Sequence, residues 1–345
     1  MGSVVSVAVD ACESLTAFVL PSGQHPSQVT IKQASYRIDV LIGEGGYSFV
    51  YKATDRVGRS TVALKRFAIQ DADEQTRLLE EVSIHRGLCP HENIVALIEH
   101  DVISLKGKPL PEIWIAMEFA GPSMQTLVNA RLAAGKGVER AIILQFLGDT
   151  IAALCHMHAQ SPPISHWDVK LDNILQGDAY KLCDFGSASK TFYLCQNSQE
   201  VSIAEGELSQ RMTLLYRAPE TLDLWRKQRV DTKADIWSLG VAVYTSVMQA
   251  MPFEENPLDI LNGVPKAFRD KGPASWAVGN PGNSLPADAQ DIMALVMDHM
   301  LVADPSKRSD IFTVAEAFRQ ISQLFQVPAR PRPGFVSAQK SRFAQ

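Results

Sequence analysis

The reading turns on His166-Trp167-Asp168-Val169-Lys170-Leu171-Asp172-Asn173, with Asp184-Phe185-Gly186 eleven residues past Asn173 and Ala218-Pro219-Glu220 further on. Moving a phosphoryl group needs a carboxylate at the attacking hydroxyl, oxygen ligands for Mg²⁺, and cations to offset charge. Asp168 suits the first role, Asn173 and Asp184 the second, and Lys170 the third. Singly, each of these acids reads as a solvated surface residue. Together, in this order and spacing, they read as one site.

Working outward toward the N-terminus, Gly43-Glu44-Gly45-Gly46-Tyr47-Ser48-Phe49-Val50 is a glycine turn. Glycines let backbone N–H groups approach phosphate oxygens with no Cβ in the way. Dinucleotide and Walker loops run from such a turn into a helix. Here the turn runs into Phe49-Val50-Tyr51, an expected strand. Strand–turn–strand resembles the phosphate loop of protein kinases, a resemblance that implies a phosphate-holding lysine on the next strand, and Val62-Ala63-Leu64-Lys65 supplies it. That lysine needs a carboxylate partner. Glu80 and Glu81 lie on an expected helix over Asp73–Leu88, about 100° apart, so only one of them faces the strand.

These motifs resemble the eukaryotic protein kinase family over residues 34–325. The resemblance implies an α+β, bilobal protein kinase fold. A strand-rich N-lobe spans about 34–120 and a helical C-lobe about 121–325. Residues 1–33 form a flexible lead-in and 326–345 a basic, Pro-containing tail. It implies ATP and Mg²⁺ as cofactors. The catalytic residues are Asp168, Lys170 and Lys65. The nucleotide site takes Ile42, Gly43, Glu44, Gly45, Gly46, Val50, Ala63 and Lys65. Glu81 is preferred over Glu80 as the lysine's partner. Met117 falls at the gatekeeper, Glu118 and Ala120 at the hinge, and Asn173 and Asp184 at the metal. Asp235 matches the buried acid that braces the catalytic loop, and Arg308 the arginine that pairs with Glu220. Thr213, in T-x-x-Y-x-A-P-E, matches the threonine that bridges base and loop lysine in serine/threonine kinases, so protein serine and threonine hydroxyls are the expected acceptors.

The glycine turn, Ala63-Leu64-Lys65-Arg66, Cys183–Ala188 and Thr213–Glu220 are similar to the Numb-associated kinases, which include the adaptor-associated and cyclin-G-associated kinases. This implies clathrin-adaptor subunits and other trafficking proteins as substrates. Two departures stand out. Ser48 occupies the place of a third glycine. Trp167 replaces the arginine that receives an activation-segment phosphate, so activity independent of phosphorylation over Asp184–Glu220 is expected, with Thr191–Arg211 held by packing or mobile. A pseudokinase scaffold and a membrane-tethered interaction module are the alternatives. The retained Lys65, Asp168, Lys170, Asn173 and Asp184 argue against the first.

Composition sets the remaining bounds. The 345 residues are 46% hydrophobic and 21% charged, which excludes a mostly disordered chain. A net charge of −5 gives no global attraction to nucleic acid. No unbroken run of about 18 apolar residues predicts a spanning helix, and no secretory signal is recognisable. The five cysteines, Cys12, Cys89, Cys155, Cys183 and Cys195, lack a C-x-x-C, so neither a disulfide framework nor a zinc site is expected. Cys183 borders the nucleotide site and reads as a packed thiol, and His85 as a satisfied core histidine. Met1-Gly2-Ser3-Val4-Val5-Ser6 fits the N-myristoylation pattern at Gly2, with Cys12 a palmitoylation candidate. The expectation is a cytoplasmic monomer with peripheral membrane association.

The remaining secondary structure is expected as strands over Asn93–His100 and Ile113–Phe119, helices over Ala141–His158, Lys233–Met248, Ala287–Met300 and Ile311–Phe325, and a loop-rich stretch over Ser161–Glu220.

Overall fold

A computed structural model describes residues 26–45, 48–104, 110–266 and 289–324. Gly2, Cys12, Gly46 and the basic tail lie outside them. The N-terminal part is an antiparallel sheet in the order β1-β2-β3-β4-β6-β5. Its strands are β1 (Gln28–Ile31), β2 (Ala34–Glu44), β3 (Ser48–Asp55), β4 (Thr61–Ala68), β5 (Leu97–Ile103) and β6 (Glu112–Glu118). The sheet curls until Lys32, just past β1, bonds through its N–H to Asp101 on β5 at 2.9 Å.

Alternation along β4 decides what the sheet offers the site. Val62 and Leu64 point into a core with Tyr36, Tyr51 and Trp114. Ala63 and Lys65 take the opposite face, as the period of two requires. That second face carries α1 (Ala72–Leu88) through Val82 against Ile113 and Ile115. Asp71 caps α1 by accepting the Glu74 N–H at 2.7 Å, while Glu74 returns a carboxylate to the Gln70 N–H at 2.7 Å.

The C-terminal part is helical: α2 (Met124–Ala133), α3 (Arg140–His158), α4 (Ser198–Arg211), α5 (Lys233–Met248), α6 (Pro257–Asn262), α7 (Gln290–Leu295) and α8 (Ile311–Leu324). By length and hydropathy α3 could cross a membrane, but its apolar side is spent on the core shared with α5. A small hairpin, β7 (Ile174–Leu175) and β8 (Lys181–Leu182), lies between the two parts. Leu182 pairs with Ile94 on one side of the hairpin, and Leu175 with Ser123 on the other.

Several expectations change. Residues 28–31, assigned to the flexible lead-in, form β1 and bury Ile31 completely. The strand expected from Asn93 begins at Leu97. The stretch read as loop-rich holds the fourteen-residue α4. Of the helix expected over Ala287–Met300, the described part is α-helical over Gln290–Leu295 and continues as a π turn over Val296–Met300.

Candidate active site

The cleft between sheet and helices is a cavity of about 380 Å³. Ile42, Gly43, Glu44, Gly45, Val50 and Ala63 line its roof, with Met117, Glu118 and Ala120 at its back edge. Lys65, Glu81, Lys170, Asn173 and Asp184 supply its charged and polar end. Leu175 and His85 also line it. Neither was assigned there from sequence; a leucine on a two-residue strand carries no pattern of its own.

Lys65 stands on β4 with its Nζ 2.8 Å from Asp184 Oδ1 and 3.6 Å from Glu81 Oε1. Glu80 is exposed, so Glu81 is the α1 acid that faces the strand. Burial pulls the Lys65 ammonium down, but Asp184 and then Glu81 outweigh it and hold it above its ordinary value. Lys65 in turn depresses Asp184 to about 2. Burial raises Glu81 despite the lysine. The shorter contact commits the lysine's charge first to Asp184.

Asp168 sits at the centre of a second network. Its Oδ1 accepts from Thr213 Oγ1 at 2.7 Å, and its Oδ2 lies 2.8 Å from Lys170 Nζ. Lys170 also donates to Thr213 Oγ1 at 2.9 Å. Thr213 therefore bridges base and lysine as the resemblance implied. Asn173 Nδ2 donates to the Asp168 backbone carbonyl at 2.8 Å and to its Oδ2 at 3.1 Å. With the amide nitrogen so engaged, the Asn173 oxygen is left for a cation.

Buried charges hold this loop from below. Asp235, fully buried on α5, accepts the His166 N–H at 2.8 Å and the Trp167 N–H at 2.9 Å, and contacts His158 Nε2 at 2.9 Å. Trp167 itself is fully buried with φ at +66°. Arg308 closes a two-pronged pair on Glu220 at 2.6 and 2.9 Å, both side chains fully buried. Such a pair is strong only where the rest of the guanidinium is satisfied. Here Arg308 also donates to the carbonyls of Val302 and Lys233 at 2.9 Å each.

Among the described residues no group of three or more His, Cys, Asp or Glu gathers as a metal cage. One ionised carboxylate and one amide oxygen beside an open cavity instead fit Mg²⁺, which takes one or two protein oxygens and the phosphates of a substrate. Burial raises Cys183 and keeps it a thiol, consistent with packing rather than reactivity.

A curled sheet stands over a helical base, with a lysine on its third long strand and the Asp168 loop beneath, the two-lobed arrangement of a protein kinase domain. The chain belongs to the protein kinase domain family, whose match covers residues 36–320. That family implies the use of ATP and Mg²⁺. The chain is similar to a probable serine/threonine-protein kinase of Dictyostelium discoideum, 34% identical over 83% of this chain and 24% of the relative. It is 32% identical to the serine/threonine-protein kinase ppk30 of Schizosaccharomyces pombe, over 68% of this chain and 24% of that protein. Actin-regulating kinase 1 of Saccharomyces cerevisiae is 29% identical over 88% of this chain and 46% of its own length. The chain thus spans about a quarter to under half of these relatives.

Proposed function

We propose that this chain transfers the γ-phosphoryl group of ATP to serine or threonine hydroxyls of proteins. The observation that carries this is Thr213 Oγ1, which joins Asp168 and Lys170 in one hydrogen-bonded triangle. Asp168 orients the acceptor hydroxyl and takes its proton as the oxygen attacks. Lys170 offsets charge beside the transferring group, and Lys65 positions the phosphates against the glycine turn. Asn173 and Asp184 would hold Mg²⁺, which supplies charge neutralisation at the phosphates when bound. Asp235 keeps the loop in register through two backbone N–H groups, so Asp168 meets the hydroxyl without first reorganising.

The substrates proposed are clathrin-adaptor subunits and related trafficking proteins. Support comes from the similarity of the glycine turn and the Thr213–Glu220 segment to Numb-associated kinases. Lipidation at Gly2, with Cys12 as a second anchor, would place the enzyme peripherally on membranes, since one myristoyl chain binds only marginally. Intact-mass analysis of the N-terminal peptide tests that step, and unmodified Gly2 in cells that have the transferase rejects it.

The deciding experiment for activity is incorporation of labelled phosphate into a serine/threonine/tyrosine peptide library. Transfer to serine or threonine, abolished by Asp184→Asn, is expected. ATP binding with no transfer above that variant would identify a pseudokinase scaffold instead.

A further inference from the structure

We propose that Tyr193 is a positioning residue, clasped between Trp167 and Glu207, that holds the segment from Asp184 to Glu220 in its working arrangement with no phosphate on it. This rests on the kinase reading above and adds the parts that replace a phosphate.

The clasp begins beside the proposed base. Trp167 precedes Asp168, is fully buried, and is fixed at its backbone by Asp235. A tryptophan carries no charge and a single N–H donor, so it cannot receive a phosphate as an arginine does. It packs instead on Tyr193, with ring centroids 6.0 Å apart and planes inclined by 60°. That separation lies within the range where aromatic pairs attract beyond simple burial.

Tyr193 is held at both ends. Its backbone N–H and C=O exchange hydrogen bonds with Val230, each 2.9 Å, on the chain leading to α5. Its hydroxyl donates to Glu207 Oε2 at 2.6 Å. Burial, with the Glu207 bond second, raises the phenol's pKa, so the proton stays on Tyr193. Glu207 lies on α4, whose Val201, Ala204 and Leu208 are buried in the core. α4 thereby occupies the stretch that sequence left as either packed or mobile.

The far end of α4 returns to the metal-binding segment. Ser187 Oγ donates to the Arg211 carbonyl at 2.7 Å, and Arg211 Nη1 donates to the Ser187 carbonyl at 3.1 Å. Ser165 and Ser189 exchange backbone hydrogen bonds of 2.9 and 3.0 Å. Thr213, two residues past Arg211, then reaches Asp168. The chain of contacts leaves the base at Trp167 and passes through Tyr193, Glu207 and α4. It comes back to Asp184 through Ser187 and to Asp168 through Thr213. An added phosphate has no part in it, and Glu207 would repel one placed near Tyr193.

The test uses the full chain, stripped by phosphatase and verified by intact mass. The wild type is expected to keep its peptide kinase activity within about twofold. Tyr193→Phe keeps the ring on Trp167 and removes one hydrogen bond, so kcat should fall about fivefold with the KM for ATP unchanged. Glu207→Ala should match it, and the double variant should be no worse than either single one. Tyr193→Ala should lose more than tenfold and be cut faster by protease within residues 190–211. Effects of Tyr193→Phe and Glu207→Ala that multiply in the double variant would overturn the clasp. So would loss of wild-type activity on dephosphorylation with recovery on rephosphorylation. If the wild type transfers no phosphate at all, the kinase reading fails but the protease arm still decides. Equal cleavage of wild type, Tyr193→Phe and Glu207→Ala would overturn the clasp, and faster cleavage of both variants would support it.

Discussion

Replacing His85 by leucine should remove a specific acid sensitivity from this fold. His85 on α1 is buried, donates its Nε2–H to the Val95 carbonyl at 2.7 Å, and stacks on Phe185 with centroids 4.4 Å apart. Burial first, opposed by the Val95 bond, pulls its pKa from 6.5 down to about 4. Lys65 and His166 lower it further and Asp184 raises it. The unfolded chain takes up this proton near its ordinary pKa, whereas the folded chain resists until about 4. His85 therefore stabilises the fold fully above the ordinary pKa, and the contribution is lost as pH falls toward the depressed value. Integrating the two titrations gives a loss of about 2 kcal/mol between about pH 7 and pH 5. Urea unfolding of wild type and His85→Leu at both pH values measures it. His91 and His100, also lowered by burial first, titrate in both proteins and cancel in the difference. The wild type should lose about 2 kcal/mol more than the variant. Equal losses would refute the reasoning, because they would mean that His85 protonates in the folded state as readily as in water.

Asp168→Asn should slow peptide phosphorylation by about 10²–10⁴ while leaving nucleotide affinity measurable by calorimetry, and unchanged turnover would remove Asp168 from the chemistry. Glu220→Ala leaves the Arg308 guanidinium buried without its carboxylate, so a loss of about 3–5 kcal/mol in the urea midpoint analysis is expected. Gly240→Ala would set a Cβ 2.8 Å from Met300 Cβ and 3.0 Å from Leu301 Cδ2, pushing α5 off its neighbour at about 1–3 kcal/mol. A thermal scan showing the wild-type midpoint for Gly240→Ala would contradict that packing.

The lobes and most of the site were legible because their signals are local. Lys65 ends an apolar run, Val62-Ala63-Leu64, and the one-residue offset between Glu80 and Glu81 meant that only one of them could face it; the resemblance favoured Glu81, the acid that the helix turns toward Lys65. What escaped depends on partners distant in sequence. β1 is four residues long, too short for alternation to declare itself, and exists because Ile31 completes a core with Tyr36 and Trp114. α4 buries only Val201, Ala204 and Leu208, a thin stripe on a polar helix. Its start was signalled, since Asn197 accepts the Glu200 N–H at 3.0 Å while Glu200 returns a carboxylate to Asn197 and to Gln196. The loss of a phosphate contact at Trp167 could be read from the sequence. The arrival of Tyr193 could not, because twenty-five residues lie between the two rings in the chain.

The small hairpin of β7 and β8 bears on how the cleft opens. It is paired with Ile94 along one edge and Ser123 along the other, and Gly121 donates to the Gln176 carbonyl so closely that any Cβ there would lie 2.6 Å from that oxygen. The α1–β5 link and the strap that follows β6 are thus stitched to the hairpin, one on each flank. An opening that keeps these pairs intact cannot slide the lobes apart; it has to tilt the sheet about a line running along the hairpin. Displacement in a tilt grows with distance from its axis. The Gly43–Gly45 turn, out at the rim, sweeps the longest arc, while the Met117–Ala120 edge scarcely moves. A nucleotide bound as proposed, with its phosphates under that turn, would then leave phosphates first, with the base the last part released.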